Sequence, residues 1–210
     1  NTRLSVYLNA YHNGIPKHLL PIPSPEGTIL GQIIRDAEMH FDRVTVWASK
    51  DNIANFLPLV QKHQRANYVA DPYMTGPLGP LIRQAMQRDD RSYACAGDFY
   101  CPFNWEEMER FHDDHSRPII ILLAQSVPAT DAAVFELAED GCVKGWDRRN
   151  STANDLINIG AYIIDPTSEV REMLSTLSWH KEDPFNTAAI NRRMLAGYVP
   201  NSMGFNVNNR

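Results

Sequence analysis

The sequence has few of the features that mark secreted, membrane-spanning or nucleic-acid-binding proteins. It holds 3 cysteines among 210 residues, none in a C-x-x-C pair, which predicts reduced thiols and a cytoplasmic location. Its longest apolar run, Pro118–Ala124, is far shorter than the roughly 20 residues of a membrane helix. A formal net charge of -5 argues against a basic patch for a phosphate backbone. We therefore expect neither a membrane nor a nucleic acid as a partner, whereas a homo-oligomer stays open.

What the sequence does have is an alternation of strand-like and helix-like segments over its first 125 residues. Leu4–Ala10 and Arg43–Ala48 are strand-like, and Ile29, Ile33 and Ala37 repeat at helical spacing. Such alternation predicts an α/β fold with three layers, α/β/α, around a mostly parallel sheet. Ligands bind such sheets beyond the carboxyl ends of the strands, so residues that directly follow strands are the functional candidates.

The second part of the sequence is richer in strands. Ala132–Trp146 contains two strand-like runs joined at Asp140-Gly141, which is typical of a hairpin. Leu156–Asp165 predicts another strand, and Lys181–Leu195 predicts a last helix before short terminal strands. We expect one domain over residues 1–210, with a mixed sheet and a small β-rich substrate lobe in residues 126–210.

Two charged residues stand directly after predicted strands. Asp98 ends the run "AGD", where the glycine allows a ligand to approach the backbone and the carboxylate suits Mg²⁺. The alternative is an aspartate that only caps the following turn. Lys17 lies between Pro16 and Pro21, and its ammonium could face a phosphate. The alternative there is a solvated loop lysine.

Two further segments are candidates for ligand contacts. "YMTGPLGPL" places Thr75 and Gly76 just before a helix, where backbone N–H groups suit an anion or the edge of a nucleobase. A plain strand–helix turn is the alternative. The tail Asn206–Arg210 is polar where a core strand would continue, which makes it a candidate for ligand contacts. The alternative is a frayed chain terminus.

Taken in order, these segments resemble the motifs of the sugar-1-phosphate nucleotidyltransferase family, also called nucleotide-sugar pyrophosphorylases. The family pattern P-K-x-L-L-P-[IV] matches "PKHLLPI", its G-D metal motif matches "CAGDF", and its N-x-G-x-Y motif matches "NIGAY". Weaker matches are "MTGPLGPL", "AAVFELAEDGCVKGW", "KEDPFN" and "VNNR". The order is that of the family, and it spans essentially the whole chain.

The resemblance implies a Rossmann-like nucleotidyltransferase fold of the GT-A type, with a nucleotide-binding half in residues 1–125 and a sugar-binding half in residues 126–210. It also implies a reaction in which a sugar-1-phosphate attacks the α-phosphate of a nucleoside triphosphate, with Mg²⁺ as the cofactor. The protein then acts mainly by positioning the reactants and neutralising charge.

By family position, the resemblance also assigns roles to individual residues. Lys17 and Asp98 are the implied catalytic residues, and the implied metal ligands are Asp98 and Asn208. The implied nucleotide-binding residues are Ala10, Lys17, Thr75, Gly76 and Gly97. The implied sugar-binding residues are Asn158, Gly160 and Arg148.

The sequence departs from the family pattern at the phosphate loop. The family has a glycine-rich G-x-G-T-R segment, whereas here only Tyr11–Gly14 joins Ala10 to Ile15. Either the loop is absent, which would weaken triphosphate binding, or residues are missing from this sequence. Met74 replaces a glycine, and Trp146–Arg149 stands in place of the E-K-P segment. The chain could also continue beyond its last residue.

Three functions therefore stay open. The first is Mg²⁺-dependent nucleotidyl transfer to a sugar-1-phosphate or a related phospho-acceptor. The second is a catalytically inactive family member that serves as a regulatory or binding subunit. The third is a glycosyltransferase of the GT-A type, which typically uses a D-x-D metal motif, whereas Asp98 stands alone at its strand end.

Overall fold

A computed structural model describes residues 2–7, 11–12, 15–48, 53–71, 78–98, 101–126, 132–177 and 182–200. Backbone contacts divide the chain into two compact units. The first unit comprises Asn1–Cys101 with Ser178–Glu182, and the second comprises Pro102–Leu177 with Asp183–Arg210. Among the described helices, none has both the length and the apolarity needed to cross a bilayer.

The first unit is built on four parallel strands in the order β6-β1-β4-β5. A short antiparallel pair, β2 with β3, lies between the first strand and the first helix in sequence. The strands are β1 (Arg3–Tyr7), β2 (Tyr11–His12), β3 (Ile15–Pro16), β4 (Arg43–Ala48), β5 (Ala66–Ala70) and β6 (Ser92–Ala96). The helices are α1 (Ile29–His40), α2 (Ile53–Val60) and α3 (Gly79–Gln87).

Helix α1 illustrates why these residues form these elements. Thr28 caps it, and the Thr28 hydroxyl oxygen accepts the Gly31 N–H at 3.1 Å. Leu30, Ile34 and Ala37 follow at helical spacing and are fully buried. The predicted helical repeat is therefore confirmed.

The second unit is built around β7, which pairs in parallel with β11 and antiparallel with β10. Strand β10 also pairs with β8, and β8 forms an antiparallel hairpin with β9. The strands are β7 (Ile119–Gln125), β8 (Ala132–Leu137), β9 (Val143–Arg149), β10 (Leu156–Ile164) and β11 (Leu195–Tyr198). The helices are α4 (Trp105–His115), α5 (Ser168–Ser175) and α6 (Glu182–Asn191).

The hairpin between β8 and β9 turns where the sequence predicted it. Gly141 has a φ of +77°, a left-handed conformation that glycine adopts without steric cost. Asp140 stabilises the turn by accepting the Cys142 N–H at 3.0 Å. The α/β class and the mixed, mostly parallel strand pairing are both confirmed.

The last helix ends earlier than the predicted span of Lys181–Leu195. Arg193 takes a left-handed φ of 57°, and the Met194 N–H returns to the Ala189 carbonyl at 2.8 Å, which closes α6. Leu195 instead begins β11, whose four residues are buried against β7. The strand pairing, which joins segments distant in sequence, overrides the helical pattern.

Candidate functional site

Lys17 opens a short 3₁₀ turn, Lys17–Leu19, directly after the β2–β3 pair. In that pair Tyr11 lies opposite Pro16 and His12 opposite Ile15. The Leu20 N–H donates to the Lys17 carbonyl at 3.0 Å, which closes the turn. The chain thus presents Lys17 from a tightly closed segment rather than from a long loop.

His18 anchors this turn in the interior of the first unit. Its side chain is buried, and its ring meets Phe56 of α2 edge-on, with the ring centres 5.5 Å apart. Burial lowers the pKa of His18 to about 4, while the charge of Asp98 raises that pKa and the charge of Lys17 lowers it. Both charges therefore act on one neutral imidazole, so the structure brings the Lys17 turn and Asp98 together.

Asp98 follows β6 after one buried residue, Gly97. Since β6 pairs in parallel with β1, with Ala96 opposite Tyr7, Asp98 lies beyond the carboxyl ends of two neighbouring strands. Asp98 and Lys17 are both partly exposed, and among the described residues neither side chain has a hydrogen bond or ion pair. Charged groups of this kind remain available to a charged ligand.

The chemistry of Asp98 is compatible with Mg²⁺, although it does not form a complete cage. Within the described part of the chain, no three acidic, histidine or cysteine side chains cluster as a metal site would require. Mg²⁺, however, keeps several waters and is usually held by one or two carboxylates together with substrate phosphates. Asn208, the second predicted ligand, lies outside the described residues, as do the predicted nucleotide contacts Ala10, Thr75 and Gly76.

In the second unit, the predicted sugar-binding residues Asn158 and Gly160 form a bulge in β10. The Asn158 Oδ1 accepts the Gly160 N–H at 2.7 Å, and the Asn158 Nδ2 donates to the Tyr162 hydroxyl at 2.5 Å. Gly160 has a left-handed φ of +80°, and the register with β7 shifts between Asn158 and Tyr162. The N-x-G-x-Y pattern thus encodes a hydrogen-bonded kink, in which the asparagine amide bonds to the glycine backbone and to the tyrosine hydroxyl.

Arg148, the third predicted sugar-binding residue, lies on β9 and contacts the start of α6. Its Nη2 donates to the Asp183 carboxylate at 2.8 Å. Two residues earlier on the same strand, the Trp146 Nε1 donates to the Thr187 hydroxyl at 3.2 Å. Phe185, between these two helix residues, meets the Tyr162 ring edge-on. The first turns of α6 therefore contact Arg148 of β9 directly and are linked to Asn158 of β10 through the ring of Tyr162.

The predictions missed a charged cluster at the end of β5. Asp71 is buried, and its carboxylate accepts from Arg83 Nη2 at 3.4 Å. The Arg83 guanidinium lies 5.4 Å from the centre of the Trp47 ring. The sequence signal was present, because Asp71 directly follows a strand just as Asp98 does. The sequence motifs also assigned no role to His18, which is buried and whose pKa is affected by the charges of both Lys17 and Asp98.

The chain is weakly similar to a known protein in sequence and similar over nearly its whole length to solved structures in fold. No protein-family model matches the chain. A segment of 109 residues, 51% of the chain, is 28% identical to the catalytic subunit beta of mannose-1-phosphate guanylyltransferase from Xenopus tropicalis. The matched segment spans only 30% of the length of that relative.

Solved structures share the fold over nearly the whole chain. The crystal structure of HddC from Yersinia pseudotuberculosis matches with a TM-score of 0.72 at 13% identity, covering 95% of this chain and 90% of the other. The same protein complexed with GMP-PN matches with a TM-score of 0.70 at 12% identity and the same coverage. The fold that the sequence motifs imply is confirmed. The similarity to the guanylyltransferase subunit supports the resemblance to sugar-1-phosphate nucleotidyltransferases.

Proposed function

We propose that the chain is a Mg²⁺-dependent nucleotidyltransferase that joins a nucleoside triphosphate to a sugar-1-phosphate, giving a nucleotide-sugar and pyrophosphate. The observation that carries this proposal is the pair of charges beside His18. Lys17 and Asp98 come from distant parts of the sequence, act on the same buried imidazole, and have no ion pair among the described residues. The similarity to a mannose-1-phosphate guanylyltransferase supports the same reaction class.

In this reaction an oxygen of the sugar-phosphate dianion forms a bond to the α-phosphorus of the triphosphate. The bond from that phosphorus to the bridging β-phosphate oxygen breaks, and pyrophosphate leaves with the electron pair. The attacking phosphate is already an anion, so no side chain has to remove a proton. Lys17 would hold and neutralise phosphate oxygens in the transition state. Asp98 would hold Mg²⁺, which, when bound, adds positive charge beside the phosphates.

The second unit would position the acceptor. The bulge at Gly160, held by Asn158, would present a fixed backbone surface to the sugar, because a left-handed glycine leaves room for close approach. Arg148 would meet the phosphate of the acceptor with two N–H groups of its planar fork. The contacts proposed for Ala10, Thr75 and Gly76 with the nucleotide, and for Asn208 with the metal, rest on the sequence resemblance.

We expect a guanine nucleotide and mannose 1-phosphate to be the first substrates worth testing. The support is that one relative is named for guanylyl transfer to mannose 1-phosphate and that one neighbour in fold was solved with GMP-PN. A cytoplasmic setting would keep the three free cysteines reduced.

The test is pyrophosphate release from a panel of nucleoside triphosphates and sugar-1-phosphates, with Mg²⁺ and with EDTA. We expect one pair of substrates to give pyrophosphate release that requires both substrates and Mg²⁺. GTP and mannose 1-phosphate are the pair that we expect to do so. Release from the triphosphate alone would contradict transfer and would indicate hydrolysis.

A second function, binding without catalysis, is favoured by one observation. The β2–β3 pair, with Tyr11 opposite Pro16, stands where the family has a long glycine-rich phosphate loop. A chain that binds the sugar-1-phosphate and releases no pyrophosphate with any triphosphate would act as a binding subunit.

A further inference from the structure

Asn186 of α6 is a buried polar side chain with no hydrogen-bond partner in the described part of the chain. It is fully shielded from solvent, and among the described residues neither its Oδ1 nor its Nδ2 has a hydrogen bond. A buried amide in this state is unfavourable, because it has lost its bonds to water without replacing them. Buried polar groups are hydrogen-bonded in nearly all folded proteins, so an exception points to a missing partner.

The contacts of its neighbours place this turn of α6 beside residues of the predicted sugar-binding strands. Phe185, the preceding residue, packs on the ring of Tyr162, whose hydroxyl is bonded to Asn158. Thr187, the following residue, accepts a hydrogen bond from Trp146. Asp183, one helical turn earlier, accepts a hydrogen bond from Arg148. The unpartnered amide therefore lies on the helix that links both strands of the proposed acceptor site.

The chemistry of the amide restricts the kind of partner. It offers one carbonyl oxygen as acceptor and two N–H donors, and it carries no charge. A phosphate, which only accepts, would satisfy half of these groups. Hydroxyls on adjacent carbons each donate and accept, so a sugar ring can satisfy the acceptor and the donors together.

We propose that Asn186 binds hydroxyl groups of the sugar of the phospho-acceptor, and that Arg148 controls access to it. This inference rests on the proposed function. The Arg148–Asp183 ion pair is half exposed, with side-chain exposures of 40% and 44%, and such pairs are weak. The phosphate of the acceptor competes for the guanidinium, which loosens β9 from α6 and admits the sugar to the amide.

The test compares Asn186→Leu, which keeps the number of side-chain heavy atoms and removes the polar ones, with Ser92→Ala. Ser92 is the matched control, because it is also fully buried and its hydroxyl has no hydrogen-bond partner among the described residues, but it lies on β6 of the first unit. Calorimetric titration would measure the affinity for mannose 1-phosphate, for GTP and for inorganic phosphate. Asn186→Ala provides a second variant if the leucine does not fold.

We expect Asn186→Leu to weaken mannose 1-phosphate binding by about tenfold or more, the loss of one to two hydrogen bonds. Binding of GTP and of inorganic phosphate should stay within about twofold of the wild type. Ser92→Ala should change none of the three. An unchanged affinity for mannose 1-phosphate in a folded Asn186 variant would overturn the inference. An equal loss for inorganic phosphate would overturn it too, because the contact would then not be to the sugar.

The binding readout separates this inference from the proposed reaction. If the wild-type protein binds mannose 1-phosphate but releases no pyrophosphate, the proposed function is contradicted. In that case, weaker binding by the Asn186→Leu variant would still support the role of Asn186. If the wild-type protein turns over and the Asn186→Leu variant has an unchanged KM for mannose 1-phosphate, the reaction is supported and the role of Asn186 is refuted. Wild-type protein that binds no sugar phosphate would refute that role directly.

Discussion

The two units use their polar side chains in opposite ways. In the first unit, Lys17 and Asp98 carry charge near the same imidazole and make no hydrogen bond or ion pair among the described residues. In the second unit, Asn158 is bonded to Gly160 and Tyr162, and Arg148 is bonded to Asp183. Under the proposed function, this difference means that some motifs of the sequence serve ligand contacts and others serve a rigid frame. Variants of Lys17 or Asp98 should therefore lose activity and keep their stability, whereas variants of Asn158 should lose both activity and stability.

The largest expected effect is that of Asp98→Asn on turnover. The exchange removes the charge that would hold Mg²⁺, whereas the fold loses no hydrogen bond of the described structure. We expect Mg²⁺-dependent turnover to disappear and the thermal midpoint to stay within about 2 °C of the wild type. Asp114→Asn, on the exposed side of α4, is the control and should retain full activity. Retained turnover in Asp98→Asn would remove Asp98 from the site.

Lys17→Ala should have the next largest effect. Loss of one preorganised donor to a transition state costs roughly 2–4 kcal/mol, which corresponds to about 30- to 1,000-fold in kcat/KM. Lys62→Ala, an exposed lysine of the same unit, serves as the matched control. A rate equal to that of the control would mean that Lys17 is a solvated loop lysine.

The buried imidazole of His18 should make the stability of the first unit depend on pH. Its pKa is about 4 in the folded protein and about 6.5 in the unfolded chain, so the unfolded chain binds more protons between these values. Stability should therefore be intact above pH 6.5 and fall as the pH drops towards 4, by up to about 3 kcal/mol from this residue.

Urea unfolding at several pH values would measure this contribution, with His18→Gln as the comparison. The variant has no titrating group at this position, so its free energy of unfolding should fall less steeply between pH 6.5 and pH 4. Parallel slopes for the two proteins would mean that burial does not lower the pKa of His18.

The smallest effect is expected in the second unit, where Asn158→Ala removes two hydrogen bonds of the β10 bulge. We expect a loss of roughly 1–3 kcal/mol in the free energy of unfolding, measured by urea denaturation. Tyr162→Phe removes only the bond to the hydroxyl and should cost less. An Asn158→Ala variant as stable as the wild type would contradict the view that this asparagine supports the frame.

The fold was largely predictable because its signals are local. Apolar spacing located α1, and Asp140-Gly141 located the hairpin of the second unit. The prediction failed for the end of α6, because the start of β11 depends on pairing with β7, about 75 residues away in the sequence. Local pattern carries no information about such a partner.

The sequence named residues of the candidate site, but it did not predict the contacts that those residues make in the structure. Asp98 and Lys17 followed from their positions after strands, whereas the burial of His18 depends on Phe56, a contact that no local pattern records. The Asn158–Tyr162 bond joins residues four apart, yet the motif alone did not distinguish an amide that binds a ligand from one that holds a bulge. Only the hydrogen-bond partners make that distinction.

The most direct test of the account is phosphorus NMR of the wild-type protein with GTP, mannose 1-phosphate and Mg²⁺. The account predicts that pyrophosphate and the nucleotide-sugar diphosphate appear in equal amounts and only while Mg²⁺ is present. Binding of both substrates with no new phosphorus signal would contradict nucleotidyl transfer and identify a binding subunit with this fold.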